Sequence, residues 1–200
     1  MYEAITSNKV RSYFLVFFFL IFVIALGYIF GVVLGYGYPI VIIALIIAIS
    51  MALFSYYKGD KAVLAISKAR EAKKDEFPLY VNIVEGLSIA SGIPKPKIYV
   101  IDDNSMNAFA TGRDPKHASV AITTGLLNKL NRTELEGVIA HEMSHIKNYD
   151  IRLMTLIVIL VGTVVLLGDF MIRSFLWGRG PRRDRNSQGQ IFFILIAIAL

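Results

Sequence analysis

Two histidines and a glutamate fall within one turn and a half of sequence in the stretch VIAHEMSHIKNYD, as His141, Glu142 and His145. On a helix, an interval of four residues turns through about 400°, so His141 and His145 project about 40° apart, one turn above the other. Imidazole nitrogens placed in this way can share one ion at about 2.0–2.1 Å. Glu142 is rotated by about 100° from His141, near enough to reach a water beside the ion but poorly aimed to be a ligand. This is the H-E-x-x-H division of labour: two metal ligands and one general base for hydrolysis. With only 3 histidines in 200 residues, the pattern is roughly a one-in-several-hundred coincidence.

The ion that suits two histidines and a carboxylate is zinc, one per chain. The chain has no cysteine, which excludes thiolate ligands, disulfides and a thiol nucleophile. A catalytic zinc site needs a third protein ligand as well as water. No glutamate follows Glu142, and the later acids are Asp150, Asp169 and Asp184. Projected along a continuous helix, Asp150 falls on the side opposite His141, and it is read as an interfacial charge near Arg152. His117, the remaining histidine, sits in a Gly/Asp/Pro turn and is read as a solvated loop residue.

These residues need elements to hold them. The helix of the motif has a separate packing stripe of Leu135, Ile139, Met143 and Ile146, and its start is marked by Thr133 with Glu136 three residues on. Before it, GLLNKL reads as a short helical piece. KIYVI (97–101), NAFAT (107–111) and SVAITT (119–124) read as strands, with GRDPKHA turning the chain between the last two. PLYVNIVEGLSIASG reads as a helix starting at Pro78 and stopped by Gly92, its apolar stripe being Leu79, Ile83, Leu87 and Ala90.

Around this polar domain the chain is apolar. Hydrophobic residues make up 56% of it, above the 45–50% or so usual for a soluble domain. No charge occurs from Tyr13 to Tyr57. The run 13–34 would reach about 33 Å as a helix, and 39–57 follows after GYGY, which leaves room only for a tight turn. The run is too long for a signal peptide and lacks a cleavage pattern, so it is read as an uncleaved span. The expected layout is an N-terminus at 1–12, a transmembrane hairpin at 13–57, a polar domain at 58–150, and a third spanning or dipping helix at 151–170. A basic loop at 171–189 follows, and 190–200 reads as the start of a fourth span in a chain that is not yet complete.

Lys9 and Arg11 on one flank of the hairpin and Lys58, Lys61, Lys68, Arg70, Lys73 and Lys74 on the other place both flanks, and the polar domain, in the cytoplasm. The five arginines of 173–185 would lie outside if the third run crosses, against that rule, so the third run either breaks the rule or only dips. Asp169 and Arg173 are spaced to pair at the interface, with Trp177 as an anchor. The net charge of +6 is placed beside hydrophobic runs, which points to anionic lipid headgroups and not to nucleic acid.

NAFATGRDPKHASVAITTGLL (107–127) followed by LEGVIAHEMSHIKNYD (135–150) resembles the HtpX family of membrane-bound zinc endopeptidases, and the hydrophobic runs match that family's layout. The resemblance implies an α+β integral membrane protein with a gluzincin, zincin-like domain: a small β-sheet and an active-site helix. It implies His141 and His145 as zinc ligands, Glu142 as the base, and a third ligand, a glutamate, beyond Leu200. It implies a cytoplasmic active site in a multi-pass protein of the cell membrane. The expected substrates are membrane and misfolded proteins, and the expected role is protein quality control. It also implies that Asn107, Ala108, Phe109 and Ala110 receive a substrate strand, the small alanines leaving room for a second backbone. Two alternatives stay open: an enzyme of the CAAX prenyl protease type, and an inactive membrane scaffold or fragment without its third ligand.

Overall fold

The structure is a computed structural model and describes residues 2–33 and 38–177. The chain divides into two compact units, one joining Met1–Val16 with Leu53–Val158 and the other joining Phe17–Ala52 with Ile159–Leu200.

The second unit is dominated by apolar helix. Helices α1 (Tyr2–Val33) and α2 (Pro39–Ile66) contain segments Ile5–Ile29 and Val41–Ile66 that are long and apolar enough to cross a membrane. Phe17, Phe18, Ile21, Ile42, Ile43 and Ile46 leave large apolar side chains exposed, as lipid-facing helices do. The chain is a membrane protein. Both helices outrun the expected spans. α1 takes in the polar N-terminus, and α2 continues through Lys58 and Lys61. α2 ends where Lys68 adopts φ 52°, with Ala69 N–H donating to Leu64 O and Lys68 N–H to Ala65 O. That is a Schellman stop with lysine in glycine's usual place. The GYGY turn falls largely at 34–37. That segment, the arginine loop beyond Trp177, the start of the fourth span and the side chains of Arg173 and Trp177 lie outside the described residues.

The first unit holds the polar domain. Its sheet runs in the order β1 (Arg70–Glu71), β2 (Lys97–Ile101), β4 (Ala118–Thr123), β3 (Ala108–Gly112). β2 and β4 are parallel, with Ile98 opposite Val120, while β3 and β4 form an antiparallel hairpin through a 3-10 turn at Pro115–His117. β4 is central and buried at all six positions, whereas β3 is an edge strand. Helix α3 (Pro78–Ser91) begins on Pro78 and ends at Gly92 in left-handed geometry, as its sequence suggests. Its buried apolar side chains are Tyr80, Val81, Ile83 and Val84, however, and Leu79 is exposed. The aromatic ring of Tyr80 takes the core face, its hydroxyl reaching Val120 O at 3.4 Å, so the stripe is rotated from the one that leucine spacing suggests.

Helix α4 (Thr124–Lys129) is capped by Thr123, and α5 (Arg132–Lys147) carries the H-E-x-x-H motif. Leu135, Ile139, Met143 and Ile146 of α5 are buried, the first three in the core with Tyr80, Val84, Val100 and Ile122. The cap of α5 lies two residues before the expected one. Asn131 accepts from Glu134 N–H at 3.0 Å, while the Glu134 carboxylate accepts from Asn131 N–H at 2.9 Å. Glu136 instead pairs with Arg132 at 2.9 Å.

The expected continuous helix from motif to membrane is not what forms. α5 stops at Lys147, Tyr149 takes φ 63°, and α6 (Asp150–Trp177) departs at 83°. The break turns the chain through nearly a right angle, so positions beyond Asn148 cannot be projected along the α5 helix.

Candidate active site

His141 and His145 stand on the exposed side of α5, opposite its packing stripe. Their Nε2 atoms lie 3.1 Å apart, with ring centroids at 4.6 Å and planes at 84°. Two ligands at about 2.05 Å on a tetrahedral ion stand about 3.3 Å apart, so the pair is spaced for one small cation.

The tautomer of His145 is set from outside the helix. Its Nδ1–H donates to Asp150 Oδ2 at 2.8 Å, which leaves the Nε2 lone pair facing His141. Two lone pairs at that separation repel unless a proton or a cation lies between them. A carboxylate behind a ligating imidazole is the outer-shell arrangement that orients metal ligands. Asp150 therefore does something other than its sequence position suggests. The left-handed Tyr149 swings it round onto His145, whereas Arg152 turns elsewhere, its Nε donating to Arg113 O at 2.7 Å. The signal available in sequence was Asn148, a residue that stops helices.

Glu142 is half-buried beside the pair. Burial raises its carboxyl above the ordinary carboxylate range, opposed by His145, His141 and the Ala110 N–H that its carboxylate faces. A base with a raised pKa holds a proton more readily as it takes one up.

The Ala110 amide belongs to the open edge of the sheet. Thr123 N–H donates to Asn107 O at 3.0 Å. The two-residue period of an antiparallel ladder then turns the peptide groups of Ala108 and Ala110 away from β4. Gly112 follows the same alternation, its N–H donating to Thr155 Oγ1 at 3.3 Å. Of the residues expected to receive a substrate strand, Asn107 is anchored through its backbone to the Thr123 side chain. Ala108, Phe109 and Ala110 are half-buried along the edge. His117 is held in its turn by Asp114 at 2.8 Å. Among the described residues no third His, Cys, Asp or Glu completes a ligand set with the pair, and the expected glutamate beyond Leu200 lies outside them.

The model of peptidase family M48 matches residues 76–199. A protein named Protease HtpX homolog from Dictyoglomus turgidum is 48% identical over 202 residues, covering 99% of this chain and 66% of its own length. Proteins of the same name from Thermoanaerobacter pseudethanolicus and Listeria monocytogenes are 42% and 41% identical, covering 99% and 94% of this chain. The chain spans about two thirds of the length of these relatives, 66%, 67% and 63% respectively. The matched region holds strands β2 to β4, the α5 motif and its elbow, and on that match this chain belongs to peptidase family M48.

Proposed function

We propose that the protein is a zinc-dependent endopeptidase of the membrane, cleaving extended segments of membrane and misfolded proteins at the cytoplasmic face. The observation that carries this reading is the meeting of two Nε2 atoms, 3.1 Å apart, with a half-buried carboxylate beside them and an open strand edge next to it. His141 and His145 would hold the zinc, together with a glutamate supplied beyond Leu200. When bound, zinc supplies Lewis acidity at the scissile carbonyl.

The chain's own residues account for the rest. An extended peptide adds to β3, its backbone bonding to the outward peptide groups of Ala108 and Ala110. Glu142 takes the proton of the attacking water on a carboxylate oxygen and returns it to the leaving amine. Asp150 keeps His145 in the tautomer that presents Nε2 inward. The basic residues on both flanks of the hairpin put this domain, residues 58–150, against the anionic cytoplasmic leaflet, where loops of membrane proteins are close at hand.

The test uses the whole protein in detergent or nanodiscs. Glu142→Gln is expected to retain zinc while peptide hydrolysis falls by about 10²–10⁴-fold. A Gln variant that binds zinc and cleaves at the wild-type rate overturns the assignment. Membrane-anchored casein is expected to be cut faster than soluble casein, and equal rates remove the substrate preference.

A further inference from the structure

Asn8 lies on the second turn of α1, in the stretch Met1–Val16 that belongs to the same compact unit as α5 and its elbow. It is only 8% exposed. Its Nδ2 donates to Asn148 O at 3.1 Å and to Asp150 Oδ1. Both partners are acceptors only, so the amide has one permitted orientation; turned round, it would set oxygen against oxygen. Both amide protons are used. A buried amide costs stability unless it is bonded in this way, and an apolar residue would be the ordinary choice here.

The neighbouring residues converge on the same place. Ser12, 2% exposed, donates to Asn8 O at 2.7 Å. The Lys9 ammonium lies 4.3 Å from the Tyr149 ring centre, and the Arg152 guanidinium lies 5.2 Å from it. Residues 8 and 9 of α1 thus address each residue of the elbow from Asn148 to Asp150. The second oxygen of Asp150 accepts a hydrogen bond from His145 Nδ1–H. A single hydrogen-bonded line therefore runs from the Asn8 amide through the Asp150 carboxylate to the His145 ring, whose Nε2 faces His141.

We propose that Asn8 is a positioning residue for the metal site, holding the Asp150 carboxylate so that His145 presents Nε2 to the ion. The first membrane helix is then a structural part of the site as well as an anchor. This rests on the zinc reading above. Free of Asn8, the carboxylate can rotate about its side-chain torsions, and the ring it steers loses its fixed aim.

The experiment is a double-mutant cycle on the full chain in detergent. It is read as zinc affinity by competition with a chelator and as the visible spectrum of the cobalt-substituted protein. Asn8→Leu is expected to weaken zinc about tenfold and to shift the cobalt bands. Asn8→Gln, which keeps the donor on a longer arm, is expected to recover part of the affinity. Asp150→Asn is expected to weaken zinc at least as much as Asn8→Leu, and the double variant no more than Asp150→Asn alone. Wild-type affinity in Asn8→Leu, or a double variant whose loss is the product of the two single losses, overturns the proposal and leaves Asn8 as ordinary helix packing. Should Asn8→Leu fail to fold by near-ultraviolet circular dichroism, Asn8→Ala takes its place in the cycle. The zinc reading fails separately: His141→Ala would then bind zinc as wild type does, and the positioning role falls with it.

Discussion

Asp150→Asn changes one atom of the side chain, and its effect can be worked through bond by bond. In the wild-type arrangement both carboxylate oxygens accept, one from Asn8 Nδ2 and the other from His145 Nδ1. Asparagine offers one acceptor and one donor in the same space. If its NH₂ faces Asn8, two donors meet in a buried position. If it faces His145, Nδ1 must accept, the ring proton moves to Nε2, and that proton points at His141 across 3.1 Å. The second arrangement satisfies every group in the free protein, but zinc needs the Nε2 lone pair, so binding forces the donor–donor contact at a cost of about 1–3 kcal/mol. At roughly 1.4 kcal/mol per decade, zinc affinity should fall by about 5- to 150-fold, with the fold of the polar domain retained. Chelator competition at fixed pH and ionic strength measures this directly. Zinc affinity within twofold of wild type in a folded Asp150→Asn protein would show that the carboxylate does not set the ring, and the tautomer argument would fail.

Three further outcomes follow from geometry away from the pair. Gly112→Ala puts a methyl 2.2 Å from His117 O at a φ of +140°, so purified protein should lose on the order of 1–3 kcal/mol of stability and melt several degrees lower. Asn131→Ala removes the side-chain half of the α5 capping box, the acceptor for Glu134 N–H, and should cost about 1 kcal/mol in denaturant titration, with Asn131→Asp close to wild type. Glu85 is held down to about 2 by Lys95 and then Lys74. A depressed folded pKa stabilises above the ordinary carboxylate value, and that stabilisation is lost as pH falls from about 4.5 to about 2. The melting temperature of Glu85→Gln should therefore lie slightly below wild type at neutral pH and converge with it across that window, the gap shrinking in high salt because the group is solvent-exposed.

Helix α5 was legible because its two periodicities are local. Ligand spacing and packing stripe both repeat on the same 3.6-residue turn, and all four core residues of α5 are where that period puts them. The three strands were legible from alternation and turn residues, but β1, two residues long, is too short to leave a pattern. The α5 cap was ambiguous in the chain itself, since Asn131 with Glu134 and Thr133 with Glu136 both satisfy the same spacing. The structure uses the first, and Glu136, one turn into the helix, pairs with Arg132 instead. Asn148 signals the end of α5, but the direction the chain takes after it leaves no local mark. Asn-Tyr-Asp contains neither Gly nor Pro, and the left-handed Tyr149 is flanked by charges from Lys9 and Arg152, one of them far away in sequence. No window of neighbouring residues contains that information, and Asp150's turn toward His145 depends on it.

The bond between Asn8 and Asp150 joins positions 142 apart. A ribosome adding about 5–20 residues per second needs roughly 7–28 s to make the second after the first. By then the opening helix has long since emerged and been handed to lipid, where it waits for its late-made counterpart. His145 itself is made only five residues before Asp150, so the ring and its carboxylate arrive within about a second of each other. The oldest part of the chain is thus already in place when the elbow is made, and their contact closes last.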